Sequence, residues 1–155
     1  MTTVSLTVNG RAEVVDTDGS ETLLEALRRD LLLTSVREAC GIGVCGSCTV
    51  LLDGKPVSSC LFLAALADGR SVETVESLAP DGGLHPIQQA FVDHTAFQCS
   101  FCTPGFLLAT KALLEENPRP SPDEVRHYLA GNLCRCGSYT QIEAAVLDAA
   151  ERLGG

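Results

Sequence analysis

The eight cysteines of this 155-residue chain fall into two quartets of different internal spacing. The first reads Cys40-x4-Cys45-x2-Cys48, followed after eleven residues by Cys60. The second reads Cys99-x2-Cys102 and, after 31 intervening residues, Cys134-x-Cys136. Every cysteine belongs to one quartet or the other. Four thiolates with an x4, x2 start and a fourth soon after form a ligand spacing for a [2Fe–2S] cluster. The chain therefore reads as a carrier of two iron–sulfur clusters, one on Cys40, Cys45, Cys48 and Cys60 and one on Cys99, Cys102, Cys134 and Cys136.

Composition narrows the classes further. Aromatic residues make up 5% of the chain and Trp is absent, which leaves little bulk for a large core. Two half-length domains would each sit near the lower limit of self-sufficiency, where metal commonly compensates. The iron-free chain is therefore expected to fold poorly, because ligand capture and folding are one event in small metallo-domains. The net charge is −9, from 20 acidic and 11 basic residues, with no Lys/Arg cluster, which excludes a nucleic-acid partner. No apolar stretch approaches the ~18 residues of a membrane span. Residues 1–8 run straight into a strand-like pattern with no leader signature, and thiols destined for metal must stay reduced. The expectation is a cytoplasmic protein.

Residues 3–16 alternate apolar and polar on both sides of Asn9-Gly10, a two-residue hairpin signal. A helix is predicted from about Glu21 to Asp30, with Thr22 and Glu25 as its capping box. A glycine-studded loop from Arg37 to Cys48 follows, then strands at Thr49–Leu52, Pro56–Cys60 and 71–75. Strands with one crossing helix make an α+β unit, and within that class the prediction is a β-grasp. Residues 77–83 read as a linker. Beyond them the apolar period becomes helical around Ile87, Phe106, Val125 and Ile142, four short helices that suggest a compact bundle.

The two sites differ in design. In the first, Gly41, Gly43 and Gly46 let the backbone approach sulfur closely. They also spell G-x-G-x-x-G, but the match is interleaved with Cys40 and Cys45 and no βαβ unit surrounds it, so a dinucleotide site is rejected. In the second, Thr103 reads as an N-cap followed by Pro104, so that Cys102 sits just before a helix, and Cys136 precedes a helix beginning near Ser138–Thr140. Helix N-termini favour negative charge, which suits an anionic cluster. Two zinc sites remain the competing reading of the residues, since zinc also takes four cysteines.

The motifs carry a resemblance. Arg37-Glu-Ala-Cys-Gly-Ile-Gly-Val-Cys-Gly-Ser-Cys-Thr-Val50, Gln98-Cys-Ser-Phe-Cys-Thr-Pro-Gly105 and Gly131-Asn-Leu-Cys-Arg-Cys-Gly-Ser-Tyr139 resemble the small iron–sulfur subunit of the molybdenum hydroxylases, the xanthine dehydrogenase, aldehyde oxidase and carbon monoxide dehydrogenase family. The resemblance implies a plant-type ferredoxin-like domain at about 1–76 and a four-helix [2Fe–2S] domain at about 84–155. It implies an electron-transfer role between a molybdenum–pterin cofactor on a large partner subunit and FAD on a medium one, usually in a dimer of heterotrimers. It also implies that Gln98 and Cys136 lie beside the pterin, with the second cluster nearer the pterin and the first nearer the flavin. Ser100 departs from the family's common Gly, and Gly137-Ser138 from its frequent Thr-Gly. Arg135, between two ligands, offers a charge to offset a cluster or an exposed interface role, Tyr139 reads as packing, and His85 and His94 read as helix-end residues. A free-standing two-cluster carrier and a zinc-stapled interaction module are the alternatives. Substrate and final electron acceptor are not written in this chain.

Overall fold

A computed structural model describes residues 1–79 and 81–154. Pro80 of the predicted linker and Gly155 of the predicted helical domain lie outside the described residues. The chain begins with the expected hairpin, β1 (Thr2–Val8) antiparallel to β2 (Arg11–Thr17), in register from Thr2↔Thr17 to Val8↔Arg11. Asn9 and Gly10 both take positive φ, 51° and 79°, as a type I′ turn requires. Alternation along β1 sends Val4, Leu6 and Val8 to one face, where α1 (Leu23–Arg29) covers them with Leu23, Leu24 and Leu27. The start of α1 is the predicted capping box: Thr22 Oγ1 accepts the Glu25 N–H, and the Glu25 carboxylate accepts the Thr22 N–H.

A second hairpin, β3 (Thr49–Leu52) and β4 (Lys55–Ser58), ends before Cys60, so that cysteine lies just past the strand predicted to contain it. Strand β5 (Ser71–Glu73) enters between β1 and β3, parallel to the first and antiparallel to the second. The order β2-β1-β5-β3-β4, crossed by one helix, is the β-grasp. Strand β5 is shorter than expected because Val75–Leu78 winds into a 3-10 turn that buries Leu78 in the core of the helical half.

That half holds α2 (Pro86–Asp93), α3 (Thr103–Glu116), α4 (Pro122–Tyr128) and α5 (Tyr139–Arg152), the four predicted helices. They close on Ile87, Phe91, Phe106, Leu113, Val125, Ile142 and Val146. Ser121 and Glu124 form the predicted capping box of α4. His85 caps α2, its Nδ1 accepting the Ile87 N–H, and His94 ends α2 with Nε2 2.9 Å from Asp148 of α5. Both histidines are helix-end residues, as expected. Among the described residues no helix is long and apolar enough to cross a membrane.

The two halves share a face. Every residue of β3 is buried: Val50 and Leu52 join the first core, while Leu51 packs on Leu108 and Ala112 of α3. An unbroken apolar strand is what burial on both faces requires. Lys111 of α3 adds an ion pair to Glu73 of β5 at 3.1 Å. Burying a leucine side chain contributes roughly 1.5–3 kcal/mol, and here that gain sets the two cysteine loops against each other.

Candidate metal centres

The loop between Arg37 and Cys48 has no regular secondary structure, and Gly41, Gly43 and Gly46 all take positive φ (64°, 73° and 69°). This path aims the N–H groups of Ile42 and Val44 at Cys40 Sγ, at 3.5 and 3.4 Å. Led by the Ile42 N–H, these donors and the neighbouring Cys45 bring the Cys40 thiol down to about 6. Cys60 is buried beside Cys48, and burial pushes it up to about 11, with the Cys48 thiol adding to the rise. The four thiols act on one another: Cys45 on Cys40, and both Cys48 and Cys40 on Cys60.

The second quartet gathers in the same way, with Cys136 and Cys134 acting on Cys99, and Cys134 and Cys99 on Cys102. The Phe101 N–H, ahead of the Cys136 thiol, lowers Cys99. Burial pushes Cys102 up to about 12. Cys102 is itself the N-cap of α3, with Thr103 and Pro104 in the first turn, so the cap lies one residue earlier than the sequence suggested. Burial of Cys134 works against its ionisation, but N–H groups led by that of Ser138, 3.5 Å from Sγ, hold the thiol below its usual value. The N-terminus of α5 therefore acts on Cys134. Tyr139, expected to pack, is half exposed and accepts the Cys134 N–H on its hydroxyl at 2.9 Å. Gln98 is exposed and donates from Nε2 to the Cys136 carbonyl at 3.3 Å. Ser100 has φ of 63°, the left-handed backbone that explains a glycine at this position in the family.

The loops of the two quartets touch directly. The Leu133 N–H donates to the Cys45 carbonyl at 2.8 Å, and Asn132 Nδ2 to the Gly46 carbonyl at 3.1 Å. Arg37 Nη1 donates to the carbonyls of Ser100 (2.5 Å) and Phe101 (3.0 Å), and the guanidinium lies 5.4 Å from the Phe101 ring centroid. A cleft of about 580 Å³ runs between the sites, lined by Cys45 from the first and Cys99, Cys102 and Cys134 from the second. Arg135, for which the sequence left open an offset to cluster charge and an exposed interface role, lines this cleft and is exposed. Sequence reasoning missed Arg37 and Asn132 as site residues. Both lie inside the quoted motifs, but nothing in their spacing says that each would reach across to the other loop.

Among the described residues, no three His, Cys, Asp or Glu side chains are placed to hold a single metal ion. A zinc site gathers four ligands about one point, whereas a [2Fe–2S] cluster takes two thiolates on each of two irons. Four thiols per site, with backbone N–H groups aimed at sulfur, fit the binuclear group.

Comparison with known proteins agrees with this donor set. The 2Fe-2S iron-sulfur cluster binding domain matches residues 6–78, and the [2Fe-2S] binding domain matches residues 74–147. The chain is 52% identical over 151 residues to the nicotine 6-hydroxylase small subunit of Paenarthrobacter nicotinovorans, covering 97% of this chain and 91% of that one. It is 46% identical over 150 residues to the nicotinate dehydrogenase small FeS subunit of Eubacterium barkeri, covering 97% and 96%. The fold superposes with a TM-score of 0.95 on a chain of quinoline 2-oxidoreductase from Pseudomonas putida 86, at 45% identity over 99% of this chain and 97% of that one. The chain carries two [2Fe–2S]-binding domains and belongs to the small iron–sulfur, electron-transfer subunits of the molybdenum hydroxylases.

Proposed function

We propose that Cys40, Cys45, Cys48 and Cys60 hold one [2Fe–2S] cluster, that Cys99, Cys102, Cys134 and Cys136 hold the other, and that the chain relays electrons from a molybdenum–pterin centre on a large partner subunit towards FAD on a medium one. When bound, each cluster supplies one one-electron redox centre. The gathering of the eight thiols into two quartets, with backbone N–H groups aimed at Cys40 and Cys134, is the observation that carries this reading. The domains are assigned to 1–76 and 84–155, joined by 77–83.

The chain's own contribution is to hold and orient. Backbone N–H groups at Cys40, Cys99 and Cys134 stabilise thiolate charge. Burial of Cys48, Cys60 and Cys134 excludes water. Apolar side chains collar each site for docking: Ile42, Val44 and Leu61 around the first, Phe101, Leu133 and Tyr139 around the second. Gln98 and Cys136 form the edge offered to the pterin, as the resemblance implies. The relatives' names, nicotine, nicotinate and quinoline, favour an N-heteroaromatic substrate on the large subunit. We place the assembly, a dimer of heterotrimers, in the cytoplasm, where thiols stay reduced.

Low-temperature EPR of the dithionite-reduced complex tests the assignment. Two distinct S = 1/2 signals, integrating to about two spins per chain, are expected from two inequivalent clusters. A silent spectrum from zinc-containing protein would refute it.

A further inference from the structure

The Ser100 carbonyl and the Phe101 N–H are the two ends of one peptide group. At the carbonyl end Arg37 Nη1 donates at 2.5 Å. That peptide lies between Cys99 and Cys102, and the Phe101 N–H is the largest influence lowering the Cys99 thiol. The same guanidinium holds the next carbonyl, that of Phe101, at 3.0 Å and stacks over its ring. Hydrogen bonds linked through a peptide polarise one another, and charged donors make the stronger ones. A cation on the carbonyl therefore makes the N–H a better donor to sulfur. The grip also holds the Ser100 backbone in its left-handed conformation, φ 63°.

We infer that Arg37, supplied by the loop of the first cysteine site, is a positioning residue for the second: it fastens and polarises the Ser100–Phe101 peptide between the ligands Cys99 and Cys102 and so raises the reduction potential of the second centre. The inference rests on the proposed assignment of Cys99 to a [2Fe–2S] cluster. Reduction adds one electron to that cluster and makes its charge more negative, so stronger N–H···S bonds and a nearby cation favour the reduced form. Arg135 is closer to the ligands in sequence, but it is exposed in the cleft, whereas Arg37 is fastened to the ligand loop by two hydrogen bonds and a ring.

The test is an EPR-monitored redox titration of the intact complex with wild-type chain, Arg37→Gln and Arg37→Lys. The wild type comes first: fewer than two cluster signals would defeat the cluster assignment itself, independently of Arg37. With two signals present, the one altered in a Cys99→Ser variant identifies the second centre. Arg37→Gln should then move the second midpoint to a more negative potential, with a smaller change or none at the first. Arg37→Lys, which keeps the charge but cannot hold both carbonyls in one plane, should give a smaller shift of the same sign. A purely structural arginine would lower the amount of the second signal without moving its midpoint. If the glutamine variant fails to load the second site, the lysine variant decides alone. An unchanged second midpoint in a loaded variant, or an equal fall of both centres, overturns the inference.

Discussion

At Gly46 any side chain would meet Asn132 Nδ2 at 2.5 Å and the Gly131 carbonyl at 2.6 Å, on a backbone whose φ is 69°. Gly105, in the first turn of α3, faces the same contact from the other side, and a Cβ there would lie 2.2 Å from the Gly46 carbonyl oxygen. These two glycines let the cysteine loops approach until the Leu133 N–H reaches the Cys45 carbonyl. Gly105→Ala should therefore destabilise the iron-loaded protein, although alanine improves helix propensity by about 1 kcal/mol. Overpacking against backbone costs about 1–3 kcal/mol, and a carbonyl cannot rotate away as a side-chain tip can. Thermal denaturation of the loaded variant reads this directly. A Tm at or above the wild-type value would mean that α3 can slide and that the contact is loose.

Among the elements, the helix starts were the most legible. The Thr22-x-x-Glu25 and Ser121-x-x-Glu124 boxes form as read, because a cap needs only residues three apart. The Glu25 carboxyl is held below its usual value chiefly by the Thr22 N–H. A carboxyl lowered in the folded state contributes stability that is fully present above the unfolded pKa, about 4.3, and is lost as pH falls through the folded value. Glu25→Ala should thus cost roughly 0.3–1 kcal/mol at pH 7, and the deficit should shrink as pH falls below about 4. Paired melts of variant and wild type across that range measure it. A deficit independent of pH would show that packing of the Glu25 stem, not its charge, supports α1. Element ends were less legible. Strand β5 stops at Glu73 because Leu78 is drawn into the helical core, a pull that comes from α3 and the rest of that core and not from the local sequence.

For the whole molecule, two small cores are joined through Leu51, Leu108 and Ala112, and irregular loops carry most of the cysteines. Those loops bury few apolar groups of their own, so the clusters are expected to supply much of their order. Chelating the iron should lower the Tm far beyond the roughly 2–4 °C per kcal/mol that a single substitution moves in a chain of this size. Limited proteolysis should then cut first between Arg37 and Cys48. An iron-free chain that kept its full thermal transition would show instead that the joined cores suffice. Leu51→Ala, which empties the joint, should cost about 2–5 kcal/mol and broaden the unfolding transition as the halves part. A sharp single transition at the wild-type Tm would place the coupling elsewhere.

The sequence by itself determined the two quartets, the hairpin at Asn9-Gly10, the capping boxes of α1 and α4 and the order of the two domains. Each of these depends on residues a few positions apart, or on cysteine chemistry that spacing alone displays. Only the tertiary structure decided how the sites meet. Arg37 lies 63 positions from Ser100, and Asn132 lies 86 from Gly46. Their hydrogen bonds exist because α3 is seated on β3, and that seating comes from non-directional apolar burial in which no local pattern names the partner. For the same reason the role of Tyr139 moved from packing to a hydrogen bond on the Cys134 backbone. A side chain's neighbours across a fold are set by how the layers settle, and local sequence carries no record of that.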